Sequence, residues 1–255
     1  MRIDLNADLG EGFGPWRMGE DEALLTLVSS ANVACGMHAG DPLIMDNTVR
    51  MAKAGGIDVG AHVGFPDLVG FGRRQMNIDL KELTALVVYQ LGALAGIAAV
   101  NGHPMTHMSF HGALGNRVAA DAELAGPLVA AVAAFDSRLI ISSSSSRAIE
   151  AAADKNGLRV ATTFLADRAY DDDCLLVPRS VTGSVIKDPA QVLQRVRQLL
   201  EEGTVTSLNG KRLAVPAHSI LLHGDTAGAV ELARTIRREI EQGGGRITPI
   251  SRLLN

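Results

Sequence analysis

The chain has few cysteines, few aromatic residues and no excess of basic charge. Its two cysteines, Cys35 and Cys174, are far apart and fit no metal-ligand spacing, which argues against a disulfide framework and a zinc knuckle. Aromatic residues make up 4% of the 255 residues and hydrophobic residues 47%, so we expect a core of Ala, Val, Leu and Ile, as in helices packed on a parallel sheet. The net charge of −4 argues against binding to nucleic acid or to a membrane surface.

Several familiar sequence signals are also missing. Met1 is followed directly by the strand-like RIDLNADLGEG without a charged and apolar leader, so we expect a cytoplasmic protein with reduced cysteines. The sequence has no HExxH pair, no Gly-x-Ser-x-Gly elbow, no GxxxxGK[ST] loop and no GxGxxG after a strand. These absences argue against a serine hydrolase and against nucleotide binding in a standard loop, and they leave only a weak metal signal.

One long uncharged stretch, residues 83–100, reaches the lower limit of about 18 residues for a membrane-spanning helix. Thr84, Tyr89 and Gln90 interrupt it with polar groups, and much of the remainder is Ala and Gly. The preceding DLKE has the form of a helix N-cap followed three residues later by a glutamate. We therefore expect a buried helix of a soluble protein rather than a membrane span.

A short apolar run, a polar or glycine-rich segment and a helical stretch follow one another seven times. The runs begin at Ile3, Asn32, Ile57, His107, Arg138, Arg159 and Ser219, and a weaker eighth, GRITPI, begins at Gly245. VTSLNGKRLAV predicts a hairpin outside the main sheet, with a two-residue Asn-Gly turn. No linker divides the chain, so we expect one domain over residues 1–255, an α/β fold with a closed or nearly closed (β/α) barrel of about seven strands. A doubly wound open sheet is the alternative.

In such a barrel the segments after the strands meet at the C-terminal face, where the chemistry of these enzymes is located. Five of the seven histidines fall in strand-end loops, and imidazole serves both proton transfer and metal binding near neutral pH. We take as catalytic candidates Asp8, His62, His111, Asp167 and His223. We take as substrate-binding candidates Asn6, Glu11, Asn32, His38, Asp41, Arg73, Arg74, Asn116, Arg168 and Asp225.

Two reaction types fit these candidates. The first is metal-assisted hydrolysis, in which an aspartate and two or three histidines hold a divalent cation. The second is metal-free hydrolysis of an amide, in which Asp8 or Asp167 activates water and His111 or His223 protonates the leaving nitrogen. Structural roles compete at single positions, because an aspartate such as Asp41 before Pro42 also caps a helix.

Seven segments occur in the order DLNADLGEGFGPW, SSANVACGMHAGDP, GAHVGFPDLVGFGRRQM, FHGALGN, LADRAYDDD, LVPRSVTGSVI and LLHGD. Together they cover nearly the whole chain and resemble the LamB/YcsF family, whose characterised members are the A subunits of bacterial 5-oxoprolinase. The resemblance implies a (β/α) barrel of the type shared with glycoside hydrolases and polysaccharide deacetylases. It also implies ATP-dependent opening of 5-oxo-L-proline to L-glutamate, with partner subunits B and C through which ATP is used.

If those partners phosphorylate the lactam oxygen, Arg73, Arg74 and Arg168 would hold a carboxylate or a phosphate. The chain departs from the usual family pattern at two charged positions, because Ser109 replaces a lysine and Thr163 replaces a glutamate. Loss of both charges together avoids a stranded buried charge, so the fold would tolerate it.

Two other functions stay open beside one component of an ATP-dependent lactamase. One is a metal-dependent amide hydrolase that works alone, and the other is a non-catalytic paralogue that binds a small carboxylate or scaffolds partner subunits. Self-association into a homo-oligomer is compatible with all three.

Overall fold

Seven parallel strands close into a barrel in the computed structural model, which describes residues 1–226 and 228–254. The ten strands are β1 (Arg2–Leu9), β2 (Ser30–Ala34), β3 (Asp58–Val63), β4 (His107–Phe110), β5 (Ile140–Ser143), β6 (Arg159–Leu165), β7 (Thr204–Thr206), β8 (Arg212–Ala214), β9 (Ser219–His223) and β10 (Arg246–Ile247). The barrel order is β1-β2-β3-β4-β5-β6-β9, and β9 pairs with β1 to complete the ring. The predicted closed barrel is confirmed, and ring closure excludes the open sheet. The weak eighth run forms β10, which pairs only with the start of β1.

Helices connect the strands and cover the outside of the barrel. They are α1 (Asp21–Leu25), α2 (Pro42–Gly55), α3 (Leu80–Val100), α4 (Gly112–Ala120), α5 (Ala122–Phe135), α6 (Arg147–Lys155), α7 (Pro189–Glu202), α8 (Ala229–Gln242) and α9 (Ile250–Leu253). Asp41 and Asp188 cap α2 and α7 with their carboxylates, each followed by proline at the first helical position. The cap signals in the sequence therefore give the starts of both helices correctly.

The two faces of each barrel strand have opposite character. On β1, Ile3 and Leu5 point outward into the apolar layer between strands and helices, whereas Asp4 and Asp8 point into the lumen. The lumen is largely polar, and its base is closed by a separate small apolar cluster of Ile140, Ala161 and Ile250. The interior thus resembles a polar column above an apolar plug rather than stacked aliphatic layers.

The long apolar helix α3 packs along the barrel, as expected for a core helix. Leu83, Val87, Leu91 and Leu94 are buried against the strand layer. The buried side chain of Gln90 accepts a hydrogen bond from the Gly64 amide at 2.9 Å and donates one to the Gly64 carbonyl at 3.0 Å. By length and composition alone α3 could also cross a membrane. Its docking onto the end of β3 accounts for the polar residue in its middle.

The β7–β8 hairpin forms outside the barrel as predicted, but the expected two-residue turn is wrong. Ser207 pairs with Lys211, so the loop has three residues, and Gly210 adopts a left-handed φ of 89° at its end. The hairpin contacts the segment between β6 and α7, residues 166–188, which we call the arch. The Leu208 amide donates to the Tyr170 carbonyl at 2.8 Å, so the hairpin supports the arch from behind.

Candidate active site

Side chains from several strand ends converge on one cavity at the C-terminal mouth of the barrel. The cavity has a volume of about 300 Å³. Of the five predicted catalytic residues, four line it, namely Asp8, His62, His111 and His223, and Asp167 lies directly behind His223. The predicted convergence of strand-end residues is therefore found, whereas their chemical roles stay predictions.

Asp8 stands at the centre of this group. Its carboxylate accepts a hydrogen bond from the Asn32 amide at 2.9 Å and lies 3.5 Å from His62 Nε2 and 4.0 Å from His223 Nε2. Burial alone would raise the pKa of Asp8, but the two imidazoles and the amide outweigh it and hold the pKa below its ordinary value. Asp8 is therefore ionised at neutral pH and suited to accept a proton.

His223 and Asp167 form a tight buried pair. His223 Nδ1 donates toward both Asp167 oxygens, at 2.8 and 2.9 Å. Burial lowers the pKa of His223, but the Asp167 carboxylate dominates and raises it above its ordinary value. The carboxylate also fixes the ring orientation, so that Nε2 faces Asp8 and the cavity. This arrangement is suited to a general acid near neutral pH.

Next to Asp8, four ligand-type side chains form a second group, which we call the Glu–His cluster. It consists of Glu11, His38, His62 and His111, with one donor atom from each lying within 4.8 Å of all the others. Glu11 Oε1 is 3.3 Å from His38 Nε2 and 3.6 Å from His111 Nδ1, which is 2.9 Å from His62 Nε2. Ligand atoms about 2.1 Å from a tetrahedral ion would lie about 3.4 Å apart, so these spacings fit a divalent transition metal.

The outward-facing nitrogens of two cluster histidines have partners typical of metal ligands. His111 Nε2 donates to the Phe71 carbonyl at 2.8 Å, and His62 Nδ1 is 2.6 Å from Ser109 Oγ. Such contacts fix the tautomer and leave the opposite nitrogen free to bind a cation. Burial lowers the pKa of His38 and of His111, so both rings are neutral as metal binding requires.

Glu11 fits a cation for an additional electrostatic reason. Burial and the nearby Asp8 charge raise the pKa of Glu11 well above its ordinary value. A bound cation would offset both effects and favour the ionised carboxylate. Glu11 and His38, predicted to bind substrate, therefore lie where a metal ligand would be expected.

Three arginines line the cavity, and one of them was not predicted. Arg73 pairs with Asp225 at 2.8 Å, which places two predicted residues together at the edge of the cavity. Arg168 is held inside the arch, where it donates to the Ser184 and Val177 carbonyls at 3.1 and 2.6 Å. Arg179, from the same arch, was missed because the path of a long connection cannot be read from strand spacing. Its signal was present in the segment LVPRSVTGSVI.

The remaining predicted residues lie in different surroundings. Asn116, on α4, lines the cavity, whereas Asn6 lies deeper in the lumen and donates weakly to Asn32 at 3.4 Å. Asp41 accepts from three backbone amides at the start of α2 and beside it, and it does not line the cavity. Arg74 is exposed and pairs with Asp67. We correct the substrate-binding expectation for Asp41 and Arg74, because a helix cap and a surface ion pair already account for them.

The two positions that depart from the family pattern are filled by hydroxyl contacts. Ser109 bonds to His62, and Thr163 Oγ1 lies 2.8 Å from Ser142 Oγ on the adjacent strand. Both serines and the threonine line the cavity. Neither position therefore leaves a buried charge without a partner.

Comparison with known proteins gives consistent matches over the whole chain. The model of the LamB/YcsF family matches residues 3–255. Two relatives, described as 5-oxoprolinase A subunits 1 and 2 and found in Pseudomonas syringae pv. tomato and Ralstonia nicotianae, are 76% and 66% identical over 254 residues; each match covers 100% of this chain, and 99% and 98% of the relative. The crystal structure of a lactam utilization protein from Thermus thermophilus matches with a TM-score of 0.91 at 42% identity, covering 98% of this chain and 100% of that one.

Proposed function

The chain belongs to the LamB/YcsF family, and we propose that it acts as the A subunit of a 5-oxoprolinase that opens 5-oxo-L-proline to L-glutamate. The observation that carries this proposal is the 76% identity to a protein of that description over the full chain, in a structure with an acid–base pair at the barrel mouth. The folded unit that we propose to do this work is the single barrel domain of residues 1–255.

Asp8 is the proposed general base. It is ionised, and its free oxygen faces the cavity between His62 and His223. In this position it can take a proton from a water molecule whose oxygen forms a bond to the lactam carbonyl carbon. His62, bonded to Ser109 on its other side, holds the carboxylate in place.

His223 is the proposed general acid. When the bond between the carbonyl carbon and the ring nitrogen breaks, that nitrogen must receive a proton to leave as an amine. The pKa of His223 is raised by Asp167, so the ring carries this proton near neutral pH. Asp167 positions the ring through both carboxylate oxygens rather than reacting itself.

We propose that the Glu–His cluster holds a divalent cation. When bound, the cation would supply Lewis acidity toward the lactam oxygen next to the acid–base pair. The roles of this chain's own residues do not change, since Asp8 still accepts the proton of water and His223 still donates one to nitrogen.

ATP and the partners follow from the same proposal. Hydrolysis of an unstrained five-membered lactam is slow and thermodynamically poor, so coupling to ATP is a reasonable requirement. We propose that subunits B and C use ATP to activate the lactam and that this chain carries the hydrolytic residues, all three acting in the cytoplasm. The absence of a standard nucleotide loop in the sequence supports this division of roles.

Reconstitution tests the proposal directly. The purified chain is combined with subunits B and C from the same source, and glutamate release from 5-oxo-L-proline is measured with ATP, without ATP and without each partner. We expect release only when all three proteins and ATP are present. Release by this chain alone, or no release by the complete set, would contradict the proposal.

A metal-dependent amide hydrolase that works alone is the second candidate, and the Glu–His cluster is the observation that favours it. Elemental analysis after dialysis against Zn²⁺ or Mn²⁺ and assays of simple lactams without ATP separate the two functions. Metal-dependent turnover without ATP or partners would favour the second candidate. In either case we expect His38→Gln and Glu11→Gln to reduce the bound metal, and unchanged metal content would exclude the cluster as its site.

A further inference from the structure

Arg179 differs from the other arginines of the cavity in how its charge is satisfied. Arg73 is paired with Asp225, and both hydrogen-bonding ends of Arg168 are held by backbone carbonyls of the arch. Among the residues that the structure describes, the only hydrogen-bond contact of the Arg179 side chain is Nη2 to His223 Nε2, at 3.4 Å. A guanidinium that faces a cavity without a carboxylate bonded to it is an available anion-binding group.

The contact between Arg179 and His223 points to a specific missing acceptor. It is a hydrogen bond only while His223 Nε2 lacks a proton. Once His223 is protonated, as its role as an acid requires, two N–H donors face the same part of the cavity. Two donors 3.4 Å apart then need acceptors from a bound molecule, one for each.

We propose that Arg179 binds the carboxylate on the ring carbon next to the lactam nitrogen, and that it thereby selects lactams that carry this carboxylate. The inference rests on the proposed function. In an α-amino acid skeleton the nitrogen and the carboxyl carbon are about 2.5 Å apart, because both are attached to the same carbon. A substrate with its ring nitrogen at His223 therefore presents its carboxylate beside Arg179.

The arch fixes the position of Arg179 through Arg168. The two carbonyls that Arg168 binds belong to Val177 and Ser184, which flank the turn containing Arg179. Arg168 is thus a positioning residue, buried within the arch, and Arg179 is the residue that contacts substrate. Arg73, on the opposite wall, is held by Asp225 and leaves the carboxylate to Arg179.

The decisive experiment removes the two partners one at a time, from the protein and from the substrate. In the complete three-subunit enzyme, kcat/KM is measured for 5-oxo-L-proline and for 2-pyrrolidinone, which lacks the carboxylate, with wild-type protein and with Arg179→Gln. We expect Arg179→Gln to lower kcat/KM for 5-oxo-L-proline by about 10- to 150-fold, the loss expected for a charge-assisted hydrogen bond, and to change that for 2-pyrrolidinone by less than about threefold. Equal losses on both substrates would overturn the proposal.

A binding measurement keeps the proposal testable where 2-pyrrolidinone is not turned over. L-Proline has the ring nitrogen and the carboxylate but no lactam carbonyl, so it serves as a competing ligand measured by calorimetry on this chain. We expect Arg179→Gln to weaken L-proline at least tenfold and to leave inorganic phosphate unaffected. If phosphate weakens and L-proline does not, Arg179 binds a phosphoryl group and the proposal is wrong.

Two controls complete the design. Arg179→Lys keeps the charge without the fork of donors and should recover part of the discrimination. Arg50→Gln, on the exposed face of α2, should behave as wild type. If the wild-type complex releases no glutamate while L-proline binding still depends on Arg179, the proposed function fails and the carboxylate site stands. If glutamate is released and discrimination survives in Arg179→Gln, the carboxylate site fails alone.

Discussion

Asp4 and Asp8 lie four residues apart on β1, both buried and both facing the lumen, yet their pKa values move in opposite directions. Near the base, burial raises the pKa of Asp4 to about 6, although hydroxyls of Ser219, Ser29 and Ser30 donate to it at 2.6 to 2.7 Å. At the mouth, imidazoles overcome the same burial and lower the pKa of Asp8.

The difference shows that the charge of the donors, more than their number, sets the state of a buried carboxyl. Three neutral hydroxyls satisfy the oxygens of Asp4 without supplying a positive charge to offset desolvation. Two imidazoles, one of them charged through Asp167, do supply it at Asp8. One strand thus carries a structural carboxyl at its start and a reactive one at its end.

The largest expected effect comes from neutralising the upper carboxylate. Asp8→Asn keeps the shape but cannot accept a proton, so we expect kcat of the reconstituted enzyme to fall by about 1000-fold. The matched change Asp4→Asn at the lower end should leave kcat within about threefold of wild type. Glutamate release measures both, and similar losses from the two variants would remove the distinction drawn between the two ends.

The lower carboxyl should instead control how stability depends on pH. Its folded pKa of about 6 lies above the model-compound value of 3.8, so the folded state binds the proton more tightly than the unfolded state. The contribution of Asp4 to the free energy of unfolding therefore falls as pH rises from about 4 to about 6, by up to about 3 kcal/mol. Urea denaturation of wild type and Asp4→Asn across this range measures it, and the difference between their stabilities should change with pH. A constant difference would show that Asp4 does not titrate there.

A somewhat smaller effect should follow from removing the charge behind His223. Asp167→Asn deprives the imidazolium of its partner, so the pKa of His223 falls and the acid is lost at lower pH. We expect a loss of about 100-fold in kcat at neutral pH and an alkaline limb of the kcat profile that moves to lower pH. Rates measured across the pH range provide the test. An unmoved alkaline limb would mean that another group supplies the proton.

The smallest effect should come from one hydroxyl at the base. Ser219→Ala removes one of the three donors to Asp4 and leaves an acceptor unsatisfied, at a cost of about 1 kcal/mol in the free energy of unfolding. Because the lost donor favours the ionised form, the cost should be larger at pH 8 than at pH 4. A cost that is the same at both values would mean that the hydroxyl does not distinguish the two protonation states.

The sequence predicted the barrel well because its strands and caps carry local signals. Apolar runs ending in polar residues mark the strand ends, and Asp-Pro pairs mark the starts of α2 and α7. Local signals were insufficient where long-range contacts decide. Asn209-Gly210 indicated a two-residue turn, but the pairing of Ser207 with Lys211 and the contact of Leu208 with the arch set a longer loop.

The site was predicted to the level of which strand ends meet, but not which neighbouring side chains face inward. Arg73 and Arg74 are adjacent in sequence, and only the first lines the cavity. Arg179 lies within the arch, whose fold depends on the buried contacts of Arg168. Period-two alternation orders side chains on strands, and no such rule orders them in a long connection.

Closure of the ring by β1 and β9 has a consequence for synthesis. Asp8 is translated near the start of the chain and His223 near its end, yet they are neighbours only across the seam where these two strands pair. A nascent chain on the ribosome therefore has no acid facing its base until the last barrel strand is inserted. Hydrolytic competence arrives in a single late event, so incomplete polypeptides are silent rather than weakly active.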